Sequence, residues 1–256
     1  MAFLAIHLFL YPASNAYNSY FDKDEGSIGG LEKPPPVSKE LYWVALIFDS
    51  MALLLAWAVS WQFAIDLLIY GLVSKAYSHP SIRLKKYPIL STLLVGAFQG
   101  FFTYLMSLQA MSGLDWKELS ETKYLHPAFL STCLLIGSYP MTQIYQHKED
   151  RQRGDQTLSL LLGVEGTFVF TAIVFFLSNL GFVAFFYYKN AWQEALIFEL
   201  ALLPILVFFG RWWWQVKKDI SKANFRNTML LNKISSLSLI LSFTLIFLLN
   251  FFRESI

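Results

Sequence analysis

The stretch EGTFVFTAIVFFLSNLGFVAFFY, residues 165–187, decides the fold class of this chain. It is long and apolar enough to cross a bilayer, for which a helix needs roughly 20 predominantly apolar residues. The whole chain of 256 residues has the same character, with 55% hydrophobic and 18% aromatic residues and a mean hydropathy of +0.45. The composition therefore predicts a multi-pass membrane protein rather than a soluble domain.

Further apolar segments repeat this pattern, so we predict an all-α bundle of about eight transmembrane helices, forming a single domain over residues 1–256. The predicted spans lie near 1–18, 41–59, 61–77, 88–112, 127–145, 165–187, 192–210 and 234–252. The first span is short, with roughly 14 apolar-leaning residues before Asn15. We therefore expect a further helix upstream of Met1. The alternative is a short first helix that continues through Tyr17 to Phe21.

Positive charges gather on four linkers, 19–40, 78–87, 146–164 and 211–233, and their flanks. Of the 20 Lys and Arg residues, only Lys117, Lys123, Lys189 and Arg253 fall on the opposite side. Because cytoplasmic loops carry the excess of Lys and Arg, we expect the four linkers to face the cytoplasm, in a bacterial cell membrane. The net charge of +2 is too small to indicate nucleic-acid binding. From the apolar composition, we expect membrane lipid to surround the helices.

Two acidic clusters lie on this same side, each at the end of an apolar segment: NAYNSYFDKDE, residues 15–25, and QHKEDRQRGD, residues 146–155. Positions four apart share a helix face, which pairs Asn18 with Asp22 and Gln146 with Asp150. Oxygen ligands of this kind suit Mg²⁺, which binds through few carboxylates together with substrate phosphates. The alternative is two helix ends with solvated acidic residues. The equivalent placement of the two clusters favours the metal site.

These residues resemble the motifs of the UbiA superfamily of intramembrane prenyltransferases, which carries Asn-x-x-x-Asp-x-x-x-Asp and a later Asp-x-x-x-Asp. Asn18 and Asp22 match the first motif, with Gly26 in place of its last Asp. Asp150 matches the second motif, with Gln146 in place of its first Asp. The endings GDQTL, residues 154–158, and GGLEKPPP, residues 29–36, are also similar to the family's pattern. The family's usual nine helices would leave this chain one short, which agrees with a missing first helix.

The resemblance implies an enzyme that transfers the prenyl group of an isoprenyl diphosphate, held with Mg²⁺, to a lipophilic or aromatic acceptor such as a quinone precursor. It implies Asp22 and Asp150 as catalytic residues. The implied metal ligands are Asn18, Asp22, Glu25, Gln146, Glu149 and Asp150, and the implied substrate-binding residues are Asn18, Tyr77, Arg83 and Lys85. For Arg83 and Lys85 the alternative is an anchor on lipid headgroups.

Two features inside the predicted spans have more than one possible role. Phe98, Phe101, Phe102 and Tyr104 share one span, where they either line an isoprenoid tunnel, stabilise a cation through their rings or, as is commoner at helical spacing, simply pack. Asp66 is an ionisable residue in an apolar segment, which makes it a functional candidate unless it lies near the outer interface.

Three other functions remain. One is an intramembrane terpene synthase that cyclises the prenyl chain itself. Another is an inactive homologue, which Gly26 and Gln146 make plausible. The third is a transporter, although transporters carry charged residues at mid-membrane and inverted repeats, whereas here the main acidic clusters lie at one face.

Overall fold

The structure is a computed structural model that describes residues 1–23 and 26–254, and within these ranges the chain is almost entirely helical. We number the helices α1 (π-helical Leu4–Leu10 continued by α-helical Tyr11–Asp22), α2 (Glu40–Trp57), α3 (Trp61–Ser78), α4 (Pro88–Ser112), α5 (Trp116–Leu119), α6 (Thr122–Ser138), α7 (His147–Arg153), α8 (Leu158–Tyr188), α9 (Trp192–Lys218) and α10 (Phe225–Glu254). Single 3₁₀ turns lie at Leu84–Lys86, Tyr139–Gln143 and Ile220–Lys222.

The helices of the described ranges, apart from the short α5 and α7, coincide with the eight predicted spans. Five of them, α2, α4, α8, α9 and α10, are long and apolar enough to cross a membrane. The prediction of an all-α, multi-pass membrane bundle is therefore confirmed. The helices α1, α3 and α6 are shorter or more polar, so their crossing of the bilayer stays a prediction.

Several predicted boundaries differ from the structure. The predicted linker 211–233 is mostly helical, because α9 continues to Lys218 and α10 begins at Phe225. Two other differences have local reasons. The predicted span 127–145 ends as an α-helix at Ser138 and continues as a 3₁₀ turn, because Pro140 has no amide hydrogen to donate to the helix. The predicted linker 146–164 contains α7 and the first turn of α8. Gly163 breaks α8 with φ +68° and ψ 176°, a backbone conformation that favours glycine.

The four predicted linkers meet at one end of the bundle. The backbone amide of Gly30 in the first linker donates to the sulfur of Met229 in the fourth at 3.4 Å. The amide of Gln146 donates to the carbonyl of Ser27 at 3.1 Å, which joins the first linker to the third. Arg83 forms an ion pair with Asp155, which joins the second linker to the third. At the opposite end, Arg253 pairs with Glu194 at 2.6 Å. The charge pattern therefore sorted the linkers correctly into two ends.

The bundle has two apolar cores. One lies among α1–α4 and includes Phe63, Leu67 and Met106. The other lies among α6 and α8–α10 and includes Phe168 and Trp212. Many large apolar side chains outside these cores are exposed, as expected where lipid rather than water surrounds the helices.

The contact between α4 and α6 joins the two halves through small residues. A Cβ added at Gly100 would lie 2.6 Å from the Cα of Thr132, and one added at Gly96 would lie 2.5 Å from Ile136. Small residues four apart let helix backbones approach closely in membranes. Phe98 on α4 and Leu135 on α6 both line a cavity, so the distance between these two helices affects the shape of that cavity.

We expect Gly100→Ala to lower the free energy of unfolding in detergent by about 1–3 kcal/mol, because backbone atoms of α6 occupy the space the new methyl group needs. Gly210→Ala is the matched control, since a Cβ there meets no atom within 4 Å. Thermal unfolding of the purified protein measures both. Equal stability of the two variants would contradict the close packing of α4 on α6.

Candidate active site

A cavity of about 1030 Å³ opens at the end of the bundle where the four linkers meet. Its mouth is polar, with Asn18, Asp22, Lys85, Gln146 and Asp150 among the lining residues. Its deeper wall is formed mainly by apolar and aromatic side chains, which are Tyr11, Tyr70, Val73, Leu94, Val95, Phe98 and Leu135. The cavity thus offers a charged entrance and an apolar interior to the same molecule.

The first acidic cluster supplies one wall from the last turns of α1. Asn18 and Asp22 both line the cavity, as their spacing predicted. The Asn18 side-chain oxygen accepts a hydrogen bond from the hydroxyl of Ser78 at 2.6 Å. The Asp22 carboxylate forms an ion pair with Lys85, and both side chains are largely buried. The α1 helix ends directly afterwards at Lys23, which has φ +50°.

The second acidic cluster supplies the opposite wall. Asp150 is buried on α7 and accepts hydrogen bonds from Arg153 and from the hydroxyl of Thr157, both at 3.2 Å. Burial raises the pKa of Asp150 to about 6, and the neighbouring Asp155 and Glu149 add to this increase. The carboxylates of the site are therefore close enough to repel one another. A bound divalent cation would reduce this repulsion.

The two clusters touch at Gly26, the position where the resembled motif carries its last Asp. A Cβ built on Gly26 would lie 1.6 Å from Oε1 of Glu149. The Glu149 carboxylate therefore occupies the space that a side chain at position 26 would need. Its other oxygen, Oε2, is buried without a hydrogen-bond partner among the described residues. Glu149 itself is not among the described residues that line the cavity.

The basic linker after α3 contributes differently from the prediction. Lys85 lines the cavity, whereas Arg83 is not among the described lining residues. The guanidinium of Arg83 donates to both carboxylate oxygens of Asp155, at 3.0 and 2.8 Å, and this contact raises the pKa of Arg83. Arg153, by contrast, does line the cavity. The basic residues at the mouth are thus Lys85 and Arg153, with Arg83 held behind Asp155.

Three residues of this site did not stand out in the sequence. Asp155 is buried and lines the cavity; its position five residues after Asp150 in the same cluster was the available signal. The hydroxyl of Tyr139 pairs with that of Tyr77 in the cavity wall. Gln143 lines the cavity one turn before Gln146, and its Oε1 is buried without a hydrogen-bond partner in the described part of the chain.

The structure thus gathers Asn18, Asp22, Tyr77, Lys85, Gln146 and Asp150 around one cavity, with Glu149 and Arg83 behind its wall. The predicted ligand Glu25 lies outside the described residues. Among the residues that are described, no three His, Cys, Asp or Glu side chains form a group that could hold a metal ion by themselves. Any metal here would need the amide oxygens or the substrate as additional ligands.

Within this helical membrane bundle, the cavity has carboxylates, amides and cations at its mouth and an apolar interior below them. Such a cavity suits an amphipathic ligand. The model of the UbiA prenyltransferase family matches residues 1–251, and the chain belongs to this family. The general activity of this family is prenyl transfer within a membrane, from prenyl diphosphates to lipophilic acceptors. No curated protein and no solved structure matches the chain.

We expect the Arg83–Asp155 pair to contribute about 1–3 kcal/mol of coupling energy, since Asp155 is buried and Arg83 is only partly exposed. A double-mutant cycle with Arg83→Gln and Asp155→Asn, followed by unfolding in detergent, measures this energy. The Lys123–Glu121 pair at the other end is the control; both side chains are more than half exposed, so its coupling should be close to zero. A coupling as small as the control's would show that the pair does not stabilise the mouth of the cavity.

Proposed function

We propose that this protein transfers an isoprenyl group from an isoprenyl diphosphate to an aromatic or quinone-precursor acceptor, in a reaction that requires Mg²⁺. The observation that carries this proposal is one cavity of about 1030 Å³ that both acidic motifs, a lysine and an apolar interior line together. The charged end of an isoprenyl diphosphate suits the mouth, and its hydrocarbon chain suits the interior. We also propose that the mouth faces the cytoplasm of a bacterial cell, from the distribution of Lys and Arg.

The residues at the mouth fit a hard divalent cation. Asp22 and Asp150 supply carboxylate oxygens, and Asn18 and Gln146 supply amide oxygens from the same walls. The buried Oε2 of Glu149 has no hydrogen-bond partner among the described residues and is a further oxygen beside the first cluster. Glu25 is the remaining candidate. Mg²⁺ is usually bound by one or two carboxylates plus substrate phosphates and waters. When bound, the ion would neutralise the diphosphate and make it a better leaving group.

The basic residues would then bind the diphosphate directly. Lys85 and Arg153 line the cavity and are already held there by Asp22 and Asp150. As the substrate enters, these cations would turn from the carboxylates to the phosphate oxygens, which charge-assisted hydrogen bonds favour. Arg83 would act indirectly, by positioning Asp155, because its guanidinium makes a bidentate contact with that carboxylate.

The reaction then follows from what the cavity contains. The allylic C–O bond of the donor breaks, and pyrophosphate leaves towards Lys85 and Arg153. The carbocation remains below the mouth, beside the Tyr77–Tyr139 pair, whose ring faces favour positive charge. The acceptor's electron-rich carbon attacks this cation and a C–C bond forms. The proton that the attacking carbon carried then passes to the released pyrophosphate, which restores the ring. Gln143 Oε1 is available to orient one of the two substrates.

The alternatives are separable. A terpene synthase would release pyrophosphate without an added acceptor, whereas a prenyltransferase depends on one. An inactive homologue or a transporter would release none. The position of the charged cluster at one end of the bundle, and not at mid-membrane, gives transport less support.

The decisive experiment incubates membranes containing the protein with labelled isoprenyl diphosphates, a lipid extract and Mg²⁺, then identifies the labelled products. A prenylated acceptor that disappears on chelation of Mg²⁺ supports the proposal. Labelled cyclic hydrocarbon in place of a prenylated acceptor would establish the terpene synthase. Membranes without the protein are the control.

We expect Asp22→Ala and Asp150→Ala each to lower product formation by far more than about tenfold, because a lost carboxylate removes a ligand from the proposed metal site. Asn18→Ala should be milder, since an amide oxygen carries no net charge. Asp219→Ala is the control, because Asp219 is half exposed in a linker at the same end. Near-normal turnover in both active-site variants, with the protein inserted normally, would reject the metal site.

The contact between Gly26 and Glu149 generates a charge-relocation test. Gly26→Asp alone should lower Mg²⁺-dependent activity by about tenfold or more, because the new side chain meets the Glu149 carboxylate. Adding Glu149→Gly should restore most of it, since the carboxylate then returns from the second motif to the first. The control combines Glu149→Gly with Gly29→Asp, which keeps the net charge but puts the carboxylate at position 29. The activity of this control should not recover. Recovery in this control would show that only net charge matters.

A further inference from the structure

A second, smaller cavity of about 190 Å³ lies beyond the floor of the first. Its wall is mainly apolar, with Asp66 and Ser120 as polar exceptions. The lining residues are Asp66, Phe102, Leu105, Met106, Trp116, Leu119, Ser120 and Leu125. The proposed reaction, which takes place at the mouth of the first cavity, leaves this space without a role.

The two cavities are separated by a thin layer of aromatic rings. On α4, Phe98 lines the first cavity and Phe102 lines the second, with their ring centroids only 5.2 Å apart. On α3, Tyr70 lines the first cavity and Asp66, one turn earlier, lines the second. The rings of Tyr70 and Phe98 meet edge to face at 6.4 Å. The partition between the cavities is therefore about one ring pair thick.

Distances along α3 can be compared with the length of a prenyl chain. From Ser78 at the mouth, the wall of α3 runs eight residues to Tyr70, or about 12 Å of helix. Reaching Asp66 adds four residues, or about 6 Å, which is comparable to the length of one isoprene unit. Removal of the partition would thus extend the apolar pocket by one such unit.

We propose that Phe98, backed by Tyr70, ends the pocket for the prenyl chain and so limits the length of the donor, and that the second cavity is the extension this partition closes. The inference rests on the proposed function, because it takes the hydrocarbon chain of an isoprenyl diphosphate as the occupant of the first cavity. Phe98 is here a specificity-determining residue. The competing explanation, that these rings only pack, predicts no dependence on chain length.

The test measures dissociation constants of the unreactive S-thiolodiphosphates of geranyl, farnesyl and geranylgeranyl chains, with the full-length protein in detergent and Mg²⁺. These probes need no acceptor. The unaltered protein should bind the chains up to one length well and the next length poorly. Phe98→Ala should improve the affinity for that rejected chain, relative to the chain before it, by about tenfold or more, since one additional apolar unit becomes buried.

Two further variants make the result specific. Phe98→Trp should move the limit in the opposite direction, to a shorter chain. Phe101→Ala is the matched control: it removes the same ring from the same π-helical segment, Ala97–Phe102, but Phe101 lines neither cavity. It should leave the order of affinities unchanged. If Phe98→Ala does not fold, Phe98→Leu and Phe98→Trp provide the same comparison.

The outcomes separate this inference from the proposed function. Equal binding of all three chains by the unaltered protein, or parallel changes for all chains in the Phe98 variants, would overturn the partition while leaving prenyl transfer intact. The same limit in Phe98→Ala and in Phe101→Ala would do so too. No binding of any chain by the unaltered, folded protein would refute the proposed function, and the inference with it.

Discussion

The structure depends on one constraint: acidic side chains buried at the end of a membrane bundle must be neutralised. An isolated buried carboxylate is costly, and pairing with a cation is the usual solution. Here Asp22 pairs with Lys85, Asp155 with Arg83 and Asp150 with Arg153. The first two pairs join linkers that are far apart in the chain. Neutralisation therefore requires α1, the linker after α3 and the segment around α7 to converge at one end, and the cavity is the space they enclose.

In the proposed reaction the same pairs prepare the site for its substrate. A diphosphate brings negative charge and Mg²⁺ brings positive charge, so the carboxylates and the basic residues can exchange partners without leaving a buried charge alone. The network has the character of a preorganised site, in which the groups that bind the substrate are positioned before it arrives. The described residues of the apolar floor carry no such charges. In the proposed reaction the charged end of the substrate would therefore bind at the mouth and its chain in the interior.

Hydrophobic segments and charge bias were sufficient to predict the spans and the two ends of the bundle, because both signals are local in sequence. Spacing of four predicted correctly that Asn18 and Asp22 share a cavity wall. The place of Arg83 behind Asp155, the Tyr77–Tyr139 pair and the aromatic partition were not predictable. Each depends on which helices pack together and at what distance, and no pattern within one segment of this chain encodes that.

The structure changes the interpretation of the altered first motif. In the sequence, Gly26 is a lost carboxylate, which makes an inactive homologue plausible. In the structure, the Glu149 carboxylate fills the volume beside Gly26, so a side chain at position 26 would have to displace the end of this glutamate. Comparison with the family motif by sequence position shows a lost carboxylate at position 26. The structure places the Glu149 carboxylate at the same point. Since a cation responds to the oxygens around it and not to the helix that supplies them, the substitution at Gly26 alone is not an argument against a metal-dependent enzyme.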